Sequence, residues 1–386
     1  MLRIGHRAFR LGALLLALQL TQLTGHGEIP PPVVEALNLR YAPYADWESL
    51  LDAAALSAGP VESYWQSAAG IRAERCATDL PLSGLHVALD PGHIGGVWAV
   101  AEGRDFQIDP HDFRVREGEL VLEVAQRVRS RLIALGAEVS LLREGYNPVN
   151  SKAPFEYLEQ AQRELPEPSE LTFSAWLAYG RALQQRAVYI AVVREDLAAR
   201  AARVNREIKP DLLLSLHINA APWPKGGEGG ETRTLVHSNH VHVLIPGCFS
   251  ASELQSPGHQ SAFALKLTNG SGAEERQIAD ALARALMHAT QLPASSYDGK
   301  NAIQVDAGNP YIWARNLLLL RQVECPVVLL EPYVANSLQA YSRLQAALAS
   351  RAAGAPPAED DILLEYTDAV VAGVLARYGS APNASE

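Results

Sequence analysis

Cysteine is scarce, with Cys76, Cys248 and Cys325 the only three in 386 residues. That is too few for a disulfide-stapled exported scaffold, since one bridge leaves one thiol over. None of the three stands in the paired spacing of a cysteine zinc site, which argues against a thiolate metal centre. Basic charge is also short: 33 Lys and Arg face 43 Asp and Glu, for a net charge of -10. A chain this acidic lacks the clustered cations that hold phosphates, so no nucleic acid is expected as a partner. Beyond the first residues no run is long and apolar enough to cross a bilayer. No internal repeat is visible, so a repeat architecture is not expected.

What is present begins with "MLRIGHRAFR", three arginines and no acid, then the short apolar run "LGALLLALQLTQL", then Gly25 and Gly27. This is the layout of a secretory signal peptide over residues 1–27, and it predicts a periplasmic or secreted protein with no stable membrane span after signal cleavage. Losing the three arginines takes the net charge from -10 to about -13. Residues 28–83 start Pro-rich and turn helix-like around "WESLLDAAALSAGPVESYWQSAAGIRAERC", which reads as a helical N-terminal extension.

From residue 84 the pattern is α/β. "LHVALDPG" reads as a buried strand, "EGELVLEVAQRVRSRLIALG" as an amphipathic helix ending at Gly136, and "AEVSLLRE" as the next strand. Residues 147–193 interrupt the alternation with "ELPEPSE" and the helix-like "FSAWLAYGRALQQRAVYIAVV"; helix "REDLAARAARVNREIKP" and strand "DLLLSLHINA" resume it. A second irregular block spans about residues 222–272, with strand-like "TRTLVH" and "HVHVLIPG". Helix "AEERQIADALARALMHAT", strand "PVVLLEPY" and helices near 337–350 and 360–378 follow. Alternation of this kind predicts a mainly parallel twisted sheet flanked by helices on both faces, within a domain over 84–380 that carries two insertions.

Ligands of open α/β sheets bind beyond the carboxyl ends of the strands. The first strand delivers His93 there, "DLLLSLHINA" delivers His217 and "PVVLLEPY" delivers Glu331, while Glu117 opens the helix after the first strand. Singly, His93 fits a turn, His217 a satisfied core histidine and Glu117 a helix-start carboxylate favoured by the macrodipole. Glu331 is harder to explain so, because a buried unpaired carboxylate is costly. Together, two imidazoles and one carboxylate suit Zn²⁺ with a fourth position left for water. A second carboxylate then takes the proton and hands it to a leaving amine.

"DPGHIGG", "REGELVLEVAQRVRSRL", "LAARAARVNREIKPDLLLSLHINAAP" and "CPVVLLEPYVANS" together resemble the zinc-dependent N-acetylmuramoyl-L-alanine amidases. That family shows an Asp-Pro-Gly-His-Gly-Gly turn, a Glu opening the next helix, a Ser-(Ile/Leu)-His-x-Asn-Ala strand end and a late strand ending in Glu. The resemblance covers residues 84–146, 194–221 and about 273–340. It implies Zn²⁺ held by His93, Glu117 and His217, with Glu331 as the general base. It also implies cleavage of the amide between N-acetylmuramic acid and L-alanine in peptidoglycan. A zinc peptidase or deacylase on the same scaffold and a non-catalytic wall-binding regulator are the alternatives.

Departures from the family pattern are informative. Ile94 stands where the family has glycine, "EPYVANS" replaces a Glu-x-Gly-Phe ending, and Glu119 is the ligand if the register shifts by two residues. Arg200 and Asn205 match the family's arginine and asparagine before the His217 strand, and packing or capping is their expected role. His237, His240, His242 and His259 in the second block invite a second metal site, although exposed strand histidines need no metal. Glu231 and its "GGE" turn are expected to flank the cleft. The same block is a candidate for covering the zinc until a regulatory partner protein moves it.

Overall fold

The computed structural model describes residues 40–41, 63–170, 172–224, 233–250, 266, 269–297, 299, 301–306 and 308–379. The leader expected over residues 1–27, much of the extension, Glu231 and His259 lie outside these residues.

Ser67 accepts a hydrogen bond from the Gly70 N–H and starts helix α1 (Ala68–Glu74). Strand β1 (His86–Pro91) is followed by the short helix α2 (Trp98–Ala101) and an antiparallel pair of two-residue strands, β2 (Asp105–Phe106) with β3 (Val115–Arg116). Helix α3 (Glu117–Ala134) and strand β4 (Glu138–Leu141) complete the first crossover. The segment expected as the first insertion, residues 147–193, holds helices α4 (Leu158–Glu164) and α5 (Phe173–Tyr189). The sequence reads as two helices over 173–209. The chain instead runs on from α5 through a π-helical turn (Ile190–Arg194), helix α6 (Glu195–Arg203) and a second π-helical turn (Val204–Ile208). Lys209, at φ 50° in the left-handed region, stops the run before Pro210. Strands β5 (Leu212–Leu216) and β6 (Val241–Pro246), helix α7 (Ser271–Thr290), strands β7 (Ala302–Gln304) and β8 (Ile312–Arg315) and helix α8 (Leu318–Gln322) follow. The described chain closes with β9 (Val327–Pro332), α9 (Leu338–Ala352) and α10 (Ile362–Tyr378).

The strands form one seven-stranded sheet in the order β4-β1-β5-β9-β6-β8-β7. Pairing is parallel from β4 through β9 and between β6 and β8, and antiparallel where β6 meets β9 and β7 meets β8. The sheet is therefore mixed and mostly parallel. Side chains alternate between its faces as strand geometry requires. Val87, Leu89, Leu214 and Leu330 enter one core, with Val121 of α3, Leu282 of α7 and Val370 of α10. Ala88, Leu213 and Leu329 enter the other, with Ala201 of α6 and Leu320 of α8. Burial on both faces is why these strands are apolar throughout. A third cluster joins Ile94 to Tyr157, Ala161, Ala187 and Ile190 of the insertion.

Candidate metal centre

Strands β1 and β5 are neighbours, with Pro91 paired to Leu216, and the Gly92 N–H donates to the Leu216 carbonyl at 2.8 Å. His93 and His217 therefore leave the same sheet edge side by side, their ring centroids 5.1 Å apart and their planes at 85°. Glu117, the first residue of α3, lies between them. Its Oε1 is 3.0 Å from His217 Nδ1 and its Oε2 is 3.4 Å from His93 Nε2. One donor atom from each of the three lies within 4.8 Å of the others, and among the described residues no other such group of His, Cys, Asp or Glu occurs. Glu119 points elsewhere, accepting from the Gly96 N–H at 3.0 Å and from Arg116 at 3.1 Å.

Charged and polar neighbours fix this group. Glu102 Oε1 lies 3.1 Å from His93 Nδ1, and Glu102 Oε2 accepts from the Ile94 N–H at 2.8 Å. Nδ1–H donation to that carboxylate leaves the Nε2 lone pair facing Glu117, the tautomer a metal requires. Arg104 Nε donates to His93 Nε2 at 3.0 Å and lies 3.3 Å from Glu117 Oε2, so its guanidinium uses the lone pair a metal would take and gives way when one binds. Burial works against ionisation of Glu117, but His93, His217 and Arg104 overcome it and hold the carboxyl at about 2. Two imidazoles and an ionised carboxylate, attracting a cation and braced from behind, fit a zinc ion.

The turn is held from below by buried ions. Arg200 donates to Asp90 at 2.7 Å, to Asp196 at 2.7 Å, to the Pro91 carbonyl at 2.9 Å and to the His93 carbonyl at 3.1 Å. Burial tends to raise the Asp90 carboxyl; Arg200 and the Ser215 hydroxyl bring it below the ordinary value. Arg143 donates to the Pro91, Gly92 and Gly118 carbonyls, joining the turn to the start of α3. Asn205 donates to the Gln322 carbonyl and accepts from the Glu324 N–H, which ties the end of the long helical run to the approach to β9.

Glu331 stands one residue past Leu330, whose carbonyl accepts from the His217 N–H at 2.8 Å. Burial raises its carboxyl above the ordinary range; His217 pulls the other way and the charge of Glu117 adds to the rise. Behind it, His242 Nδ1 lies 3.4 Å from Glu331 Oε2 and 2.7 Å from the Tyr297 hydroxyl. His240 and His242 share a strand face, with ring centroids 4.7 Å apart, and both bond to Asn219 rather than to a carboxylate cluster. Burial, with His240 and Arg315, pushes His242 down to about 3, so it is neutral. His237 is exposed.

Sequence reasoning missed Glu102, Arg104, Tyr297 and Arg315. The first two lie between a four-residue helix and a two-residue strand, segments too short to show periodicity.

An α/β sheet presenting a His-Glu-His group at its carboxyl edge fits a metal-dependent hydrolase. Residues 87–347 match the family described as N-acetylmuramoyl-L-alanine amidase, and the chain belongs to that family. It is a peptidoglycan amidase, of a zinc-dependent family whose substrate lies outside the cytoplasm. No curated protein matches the chain. Solved structures similar to it include the N-acetylmuramyl-L-alanine amidase Ami1 from Mycobacterium smegmatis, at 16% identity over 77% of this chain and 98% of that one, with a TM-score of 0.41. The CwlD amidase from Clostridioides difficile, solved in complex with the GerS lipoprotein, is 12% identical over 76% and 98%, with a TM-score of 0.41. The catalytic domain of CwlV from Bacillus (Paenibacillus) polymyxa is 14% identical over 76% and 97%, with a TM-score of 0.37. Family membership rests on the match over residues 87–347.

Proposed function

We propose that His93, Glu117 and His217 hold the zinc ion and that Glu331 is the general base for hydrolysis of the amide between N-acetylmuramic acid and L-alanine. The carrying observation is the three-residue donor group within 4.8 Å, with Glu331 on the strand hydrogen-bonded to the His217 backbone. A zinc ion in that group supplies Lewis-acid polarisation of the scissile carbonyl and a lowered pKa for water. The chain's own residues do the rest. Glu331, raised by burial, accepts a proton from the attacking water and returns it to the leaving amine of L-alanine. Neutral His242 keeps that carboxylate aimed without competing for its proton. Glu102 keeps His93 in its ligating tautomer.

The same reading takes residues 1–27 as a leader, 28–83 as an extension and 84–380 as the catalytic domain, and puts the mature enzyme in the periplasm or the medium. A regulatory protein partner belongs to it as well. In support, Phe155, Phe173, Trp176 and Leu177 stand exposed on the insertion, apolar area of the kind partners cover.

Purified peptidoglycan digested with and without a chelator, followed by product mass analysis, tests the reaction. Free glycan strands plus intact stem peptides beginning in L-alanine are expected, and chelator abolishes them. Glu331→Gln keeps stoichiometric zinc and loses about 100-fold or more in turnover. Stem peptides still attached to N-acetylmuramic acid after complete digestion would overturn the assignment.

A further inference from the structure

Ile94 follows His93 directly and is fully buried, at 0% exposure. Its side chain enters neither core of the sheet. It joins a separate cluster with Tyr157, Ala161, Ala187, Ile190 and Val192, all from the segment that interrupts the α/β alternation. His93 itself sits at φ 53°, in the left-handed region that residues with a Cβ avoid. Such a conformation persists only where its surroundings over-determine it. Glu102 supplies one restraint on the turn and Arg200 another, through the Ile94 N–H and the His93 carbonyl. The insertion is rigidly continuous with the second of these, because the helical run bearing Ile190 passes without a break into α6 and Arg200. Asn150 closes the joint: its N–H donates to Asp196 at 2.9 Å and its side-chain amide to the Ala191 carbonyl at 2.9 Å.

We propose that the helical insertion is a strut for the metal centre, and that Ile94 is the positioning residue through which it holds His93. The inference rests on the zinc reading of His93, Glu117 and His217. A glycine at this place would leave the turn without an apolar anchor and with more backbone freedom. The isoleucine converts a surface elaboration into part of the ligand's support. Contacts that orient a ligating histidine commonly change metal affinity 10- to 100-fold when they are removed.

Zinc affinity of the full chain, measured by competition with a chromophoric chelator, tests this beside thermal unfolding. The wild type takes up one zinc. Ile94→Ala and Ile190→Ala, one on the turn and one on the insertion, each weaken binding about tenfold or more, and Ile94→Val restores most of it. Leu282→Ala, in the core under α7, lowers the unfolding midpoint and leaves zinc affinity at the wild-type value. Unchanged affinity in both isoleucine variants, or an equal loss in Leu282→Ala, overturns the inference. If the alanine variants fail to fold, Ile94→Val and Ile190→Val give the same comparison at smaller amplitude. A wild-type chain that takes up no zinc overturns the zinc reading and the inference together; normal uptake with unaffected variants overturns the inference alone.

Discussion

A methyl group on Gly92 would lie 2.2 Å from Cε1 of His217 and 2.4 Å from its Nε2, closer than any carbon contact allows. One on Gly118 would lie 2.5 Å from the Gly95 nitrogen and 2.7 Å from the Ile94 carbonyl carbon. Both glycines are thus required by close approach, one for the imidazole and one for the packing of α3 against the turn. Gly92→Ala is expected to displace the His217 ring, reduce bound zinc well below one per chain and lower turnover about tenfold or more. Gly180→Ala, on α5 with nothing within 4 Å of the added carbon, keeps zinc and activity at wild-type values. Metal content and activity of the two variants, measured together, check this. At this scale the convergence of His93, Glu117 and His217 is legible in the sequence, because each sits at a strand end or helix start that its neighbours announce. Their supports are not. Glu102 and Arg104 reach His93 through side-chain directions that spacing alone does not encode, and the place of Ile94 is set by a cluster distant in sequence.

Helix termini carry stability that can be titrated. Asp361 starts α10, accepting from the Leu363 and Leu364 N–H groups at 2.9 and 3.1 Å, and Arg351 pairs with it. Burial works to raise its carboxyl, but Arg351 and the two N–H groups prevail and hold it below the ordinary carboxylate value. A depressed folded pKa means stability that is present above the unfolded pKa and lost as pH falls through the folded one. Asp361→Ala is expected to cost about 1–2 kcal/mol at pH 7, and Asp361→Asn less because the cap acceptor survives. The gap between wild type and Asp361→Asn should hold above the ordinary Asp value of about 4 and close as pH falls below it, in urea unfolding at a series of pH values. Among elements, α3, α7, α9 and α10 were legible from helical periodicity, and β1, β4, β5, β6 and β9 from apolar runs. Strands β7 and β8, three and four residues long, and the β2–β3 pair were not. The π-helical turns were hidden as well, because an apolar helix pattern looks the same whichever carbonyl its N–H groups meet.

At the scale of the whole molecule the layering was legible and the strand order was not. Apolar strands separated by helices announce a sheet covered on both faces, but an apolar run is equally content beside any neighbour. The reversal at β6 places His242 opposite Glu331 in antiparallel register, and no local pattern foretold it. The same topology makes the candidate metal centre a junction: His93 follows β1, Glu117 begins α3 and His217 follows β5, with Arg143 bracing two of the three. Binding at a junction of three elements is lost when any of them unfolds, so it must be linked to the stability of the domain as a whole. With free zinc at 100 times its Kd, the folded state gains about 2.7 kcal/mol. Chelation is therefore expected to lower the calorimetric unfolding midpoint by several degrees, restored by zinc and not by magnesium, whose octahedral oxygen preference this donor set does not meet. Glu331→Gln should show the same chelator-dependent shift as the wild type if its carboxyl is the base we propose and not a ligand. His93→Ala should show none. A midpoint indifferent to chelator in the wild type would mean that the three side chains meet for a reason other than metal.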